Sequence, residues 1–125
     1  MLKKRPHLPD AQERALLLLR LLEIRNEEPP AVTRVRLSVL TLQRLWGRDQ
    51  IGRELLEDTQ EWLSRGGWSL FYARTTYAAV RTSAVLGWSR LSSKRMTEEL
   101  KQIRDGKFDF DRYLHLIEDN HNVED

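Results

Sequence analysis

Cysteine is absent from this 125-residue chain, which excludes disulfides, thiolate metal sites and cysteine nucleophiles. That absence fits a reducing compartment, and the chain is expected to be cytoplasmic. Long apolar runs are missing too. Lys3, Lys4 and Arg5 precede an apolar stretch at Leu16–Leu22, an order with a superficial likeness to a signal peptide. However, Pro6, His7, Pro9, Asp10, Glu13 and Arg14 intervene, Arg20 interrupts the stretch, and no small-residue cleavage site follows. A bilayer span needs ~20 apolar residues, so no membrane segment is expected.

Histidine is scarce and scattered. His7 stands alone in a proline-flanked arm, and His115 and His121 are six apart, which is not a same-face helical spacing. Asp109 and Asp111 flank Phe110 and point in different directions. There is no Gly-rich phosphate loop, nucleophile motif or histidine–carboxylate relay. No catalytic residue, metal or cofactor is expected, and the function left is binding.

What is present describes a folded chain. Hydrophobic residues make up 40% and charged residues 32%, too apolar for wholesale disorder, and the length fits one domain. The expected organisation is a flexible basic arm at 1–9, a single domain at 10–118 and a flexible acidic tail at 119–125. The net charge of +2 is unevenly spread. Residues 1–104 carry 19 Lys/Arg against 12 Asp/Glu, and residues 105–125 carry 2 against 7. A basic body suits an anionic partner, although Arg-rich helix surfaces beside a solvated tail would give the same count.

Along the chain, Asp10 and Glu13 form a capping-box pattern, predicting a helix from Ala11 to about Glu28 that Pro29-Pro30 stops. Ala15, Leu18, Leu19 and Leu22 recur at helical spacing. Leu16, Leu17 and Leu21 widen the apolar surface beyond one stripe, which implies central burial or a homodimer contact through Leu17 and Leu21. Val32, Val35 and Leu37 predict a short strand or extended segment, one continuous helix from Thr33 being the alternative. Ser38 caps a short helix to Trp46, which Gly47 ends. A third helix is expected from about Asp49 to Arg65, burying Ile51, Leu55, Thr59, Trp62 and Leu63, with Gly66-Gly67 as its stop. Aromatic and β-branched residues then predict a β-hairpin from Trp68 to Thr82, turning at Arg74-Thr75-Thr76. Beyond it, Ser92 or Ser93 caps a helix from about Lys94 to Arg104 that buries Met96, Leu100 and Ile103, and a last short helix starts near Asp109 or Phe110.

The fold class is thus α+β, mainly helical, with one β-hairpin and additional C-terminal helices. The order of elements over residues 10–83 resembles a winged helix-turn-helix domain, with the hairpin as wing and the third helix in the recognition position. That resemblance implies DNA binding, often by dimers. The matching candidates are Arg48, Gln50 and Arg53 at the start of the third helix, Arg74 at the hairpin tip, and Arg90, Lys94 and Arg95 in the most basic stretch. Glu54, Glu57, Asp58 and Glu61 oppose this, because carboxylates along a recognition helix repel phosphates. Trp88, beside Arg90, is the tryptophan best placed to anchor an interface, core packing being the alternative reading. Two partners therefore follow from the sequence: DNA, with a role in transcription regulation or mobile-element control, or a protein bound by an adaptor or inhibitor.

Overall fold

In a computed structural model, which describes residues 7–118, the first helix starts where its capping box requires. Glu13 N–H donates to Asp10 Oδ1 at 2.9 Å and Asp10 N–H to Glu13 Oε1 at 3.0 Å, satisfying donors that a helix start leaves without partners. This helix, α1 (Ala11–Arg25), buries Arg14, Ala15, Leu18 and Leu22. Past its end, the Asn26 side chain exchanges two hydrogen bonds with the Val32 backbone, tying together the loop that holds Pro29 and Pro30.

Strand β1 (Arg34–Ser38) leads straight into α2 (Val39–Trp46), so the strand expectation holds over a continuous helix. The Ser38 hydroxyl accepts from Thr41 N–H, and Gly47 ends the helix at φ 66°, a left-handed conformation that glycine adopts without Cβ strain. Helix α3 (Arg53–Arg65) follows, then β2 (Trp68–Ala73), β3 (Thr76–Arg81) and a single turn, α4 (Thr82–Val85). The strands form one antiparallel sheet in the order β1-β3-β2, pairing Leu37 with Tyr77, Leu70 with Ala79 and Tyr72 with Tyr77. The chain is α+β, with helices on a small three-stranded antiparallel sheet.

The period-2 alternation of the strands turns Leu37, Tyr77, Ala79, Trp68 and Leu70 toward the helices. There they join Leu18, Leu42, Trp46 and Leu63, which are completely buried. Two polar residues are buried with them, Arg14 and Thr59, and they satisfy each other. Arg14 Nε–H donates to Thr59 Oγ1 at 2.8 Å, the Thr59 hydroxyl donates onward to the Leu55 carbonyl, and Trp46 Nε1–H donates to the Arg14 carbonyl at 3.0 Å. One buried arginine thereby fastens α1, α2 and α3 together.

The chain falls into two compact units, Met1–Trp88 and Ser89–Asp125. In the second, Ser92 caps a 3-10 turn (Ser93–Met96) that runs into α5 (Thr97–Arg104), followed by a 3-10 turn (Phe110–Tyr113) and α6 (His115–Glu118). Phe108 packs edge-on to Phe110 and parallel to Tyr113. No described residue of this unit is buried, and Met96, Leu100 and Ile103 are 44%, 37% and 40% exposed. The expected burial of those three is corrected: a two-turn helix with two single turns supplies no second layer to cover them. Residues 1–6 of the expected arm and the expected tail at 119–125 lie outside the described residues.

Candidate nucleic-acid interface

The loop from Gly47 to Gly52 decides what the leading end of α3 presents. Arg48 N–H donates to the Gln43 carbonyl, and Gln43 Nε2–H donates to the Asp49 carbonyl at 2.6 Å. Residues 48–52 are thereby held as a loop, and half-buried Ile51 turns the chain back toward the core. The third helix therefore starts at Arg53, four residues later than the sequence predicts, and Arg48 and Gln50 sit in the loop instead of the first helical turn. Gly52 occupies the cap position and offers no side chain to the N–H groups of that turn.

Gln50 and Arg53 are exposed and line a cleft of about 600 Å³ between this end of α3 and the inner face of the hairpin. Val39, Gln43, Asp49, Ile51, Gly52, Leu56, Tyr72 and Tyr77 complete its wall. Tyr72 and Tyr77 are cross-strand neighbours with ring centroids 4.9 Å apart and planes tilted by 50°. Tyr72 is 51% exposed and Tyr77 only 4%. Burial, with a smaller contribution from Tyr72, pushes the Tyr77 phenol above the usual tyrosine range.

Arg48 is placed differently from its two companions. It is half-buried, its Nε has no hydrogen-bond partner, and its charge acts on Arg14. Burial and then Arg48 lower the Arg14 guanidinium from its ordinary value, against opposing pulls from Asp58 and Asp10. Arg74 stands at the exposed hairpin tip with φ 64°. Arg90, Lys94 and Arg95 are exposed residues of the second unit, and none forms an ion pair among the described residues. The structure thus gathers Gln50 and Arg53 on one cleft, keeps Arg48 in the same loop but partly inward, and carries Arg74 on the hairpin that forms the opposite wall.

The carboxylates of α3 are all exposed. Arg53, Leu56 and Gln60 share the flank toward the hairpin, where Gln60 Nε2–H donates to the Leu70 carbonyl at 2.7 Å. Glu54, Glu57, Asp58 and Glu61 follow the same spacing one residue later, on the side away from the core. The acidic stripe begins beside the cleft and runs along the helix away from it.

Sequence reasoning missed Tyr72, Tyr77, Gln43 and Asp49 as cleft residues. The available signal was alternation, since Trp68, Leu70 and Tyr72 share one face of β2 and the last of them extends past the core. On α1, Leu17 is 37% exposed and Leu16 56%, whereas Leu21 is half-buried against the core. Trp88 is 56% exposed and lines a second groove, of about 510 Å³, on the outer sheet face with Phe71, Val85, Arg34 and Arg36.

No protein-family model, curated protein or solved structure matches the chain. Among the described residues no helix is long and apolar enough to cross a membrane, and no group of three or more His, Cys, Asp or Glu side chains could hold a metal.

Proposed function

We propose that this protein is a small non-enzymatic, cytoplasmic DNA-binding regulator of the winged helix-turn-helix type, acting in transcription or mobile-element control. The observation that carries the reading is the order α1-β1-α2-α3-β2-β3 with strand order β1-β3-β2. It sets the leading end of α3 and the tyrosine-bearing face of the hairpin around one cleft. In helix-turn-helix proteins the first residues of the second helix meet the base edges, and here Arg53 opens that helix, with Gln50 in the loop just before it. Arg and Gln reach guanine and adenine edges, while Arg74 is suited to the backbone. The acidic stripe dictates the approach: α3 meets the duplex end-on through its first turn, leaving Glu57, Asp58 and Glu61 outside the groove.

Fluorescence anisotropy against a mixed-sequence duplex across a salt series tests this. Binding weakens steeply as salt rises, and Arg53→Ala costs ~1–3 kcal/mol if that residue reads a base. A flat salt response, or wild-type affinity in an Arg48/Arg53 double alanine variant, removes the groove-reading model. Exposed Leu17 and its neighbour Leu21 supply the contact with a second copy. Sedimentation at twice the chain mass supports that contact, and a monomer at every concentration tested removes it.

A second reading, an adaptor or inhibitor that binds protein, is favoured by the exposed carboxylates of α3 and by the groove around Trp88. It predicts a complex that survives nuclease and high salt, conditions under which the DNA reading predicts dissociation.

A further inference from the structure

The cleft beside α3 contains a hydroxyl that the fold leaves unused. Tyr77 is only 4% exposed, yet its hydroxyl makes no hydrogen bond among the described residues, and the residue lines the cleft. Its oxygen, unlike Arg48 Nε, is not cut off from solvent, so it is accessible to a partner atom in the cleft. Beside it, Tyr72 is half exposed, a ring face without cover. Opposite both rings stand the Arg53 side chain and the first turn of α3, whose cap residue Gly52 supplies no acceptor and has open space where a side chain would be.

An aromatic platform, an unpaired hydroxyl, a guanidinium and free backbone N–H groups on one cleft of about 600 Å³ match one ligand chemistry. We propose that the cleft receives a single unstacked nucleotide, its base against Tyr72 and the Tyr77 hydroxyl and its phosphate against Arg53 and the start of α3. The tyrosine ring centroids are 4.9 Å apart, too close to admit a base between them, so the base stacks on the outward face of Tyr72. Asp49, also in the wall, is suited to accept from a base amino group. Gln43 is already committed to the Asp49 carbonyl, and Gln50 is free to meet the base edge. The inference rests on the DNA-binding reading only for the source of the nucleotide, which is either an unpaired base within DNA or a free mononucleotide.

The full-length chain is titrated into an intact duplex, into the same duplex carrying a one-nucleotide bulge, and, by calorimetry, with each of the four nucleoside 5′-monophosphates. A base drawn from DNA makes the bulged duplex bind about tenfold tighter than the intact one, the scale of one base–aromatic stack. Tyr72→Ala abolishes that preference, Tyr72→Phe retains it, and Tyr77→Phe weakens it severalfold. Mononucleotide binding that Tyr72→Ala removes identifies the free nucleotide as the source. Should the protein bind mononucleotides in this Tyr72-dependent way but no duplex, the DNA reading fails and the cleft assignment stands. Equal affinity for both duplexes with no mononucleotide binding, or a bulge preference that survives Tyr72→Ala, overturns the assignment.

Discussion

At the tip of the hairpin, Arg74 holds φ at 64° with Thr75 N–H donating to the Ala73 carbonyl at 2.7 Å. A hydrogen bond two residues apart around a central residue of positive φ is the pattern of the strained γ-turn. The left-handed region costs a residue with a Cβ ~1–2 kcal/mol relative to glycine, and no described hydrogen bond or ion pair of the Arg74 side chain offsets that cost. A cationic side chain kept where glycine fits better is what a contact at the tip would require. Arg74→Gly is therefore expected to raise stability by up to ~1 kcal/mol in urea denaturation. The same substitution lowers the magnitude of the DNA-binding salt slope by about one phosphate contact. Loss of stability on making the variant would remove the strain argument, and an unchanged slope would remove the contact.

The helices of the first unit are joined by a polar bond inside an apolar core, and this bond tests how the elements depend on each other. Thr59→Val keeps the shape but leaves Arg14 Nε buried without its acceptor. A stranded donor on a charged group costs about 1–3 kcal/mol or more, read as a lower urea midpoint with an unchanged slope. Adding Arg14→Met removes the stranded charge, so the double variant is less destabilised than the two single costs combined predict. Additive losses would show that the bond does not couple α1 to α3. This bond was illegible in the sequence, where Arg14 in a capped amphipathic helix reads as a solvent-facing charge. What the sequence made legible were features set by local chemistry. The Asp10–Glu13 box, the Gly47 stop and the aromatic alternation from Trp68 each act within a few residues. The start of α3 was misplaced because Asp49 and Gln50 are compatible with a helix; a hydrogen bond from Gln43 in the preceding helix holds them out of it. The sequence singled out Gln50 and Arg53 as base-contacting candidates but not the cleft they line, and Tyr72 and Tyr77 join that cleft only through strand pairing.

Charge at the scale of the whole chain sets two expectations against each other. Met1–Trp88 carries 14 Lys/Arg and 10 Asp/Glu, or +4, and Ser89–Asp125 carries 7 and 9, or −2, which recovers the net +2. Every described buried residue lies between Arg14 and Val80, so a chain ending at Trp88 is expected to keep that core, which a cooperative urea transition checks. If bulk charge governed DNA binding, removing the net negative segment would tighten it. If Arg90, Lys94 and Arg95 touch phosphates, the same removal weakens binding despite the gain in net charge, because charges within a few ångströms outweigh those beyond the Debye length of ~8 Å. The local model therefore predicts weaker binding by the truncated chain and a salt slope shallower by ~0.9 for each phosphate left without its cation. Tighter binding with the slope preserved would assign all DNA contact to the first unit and leave the second basic cluster as a solvated surface. The sign of the change suffices to decide, since the two models differ in direction and not merely in size.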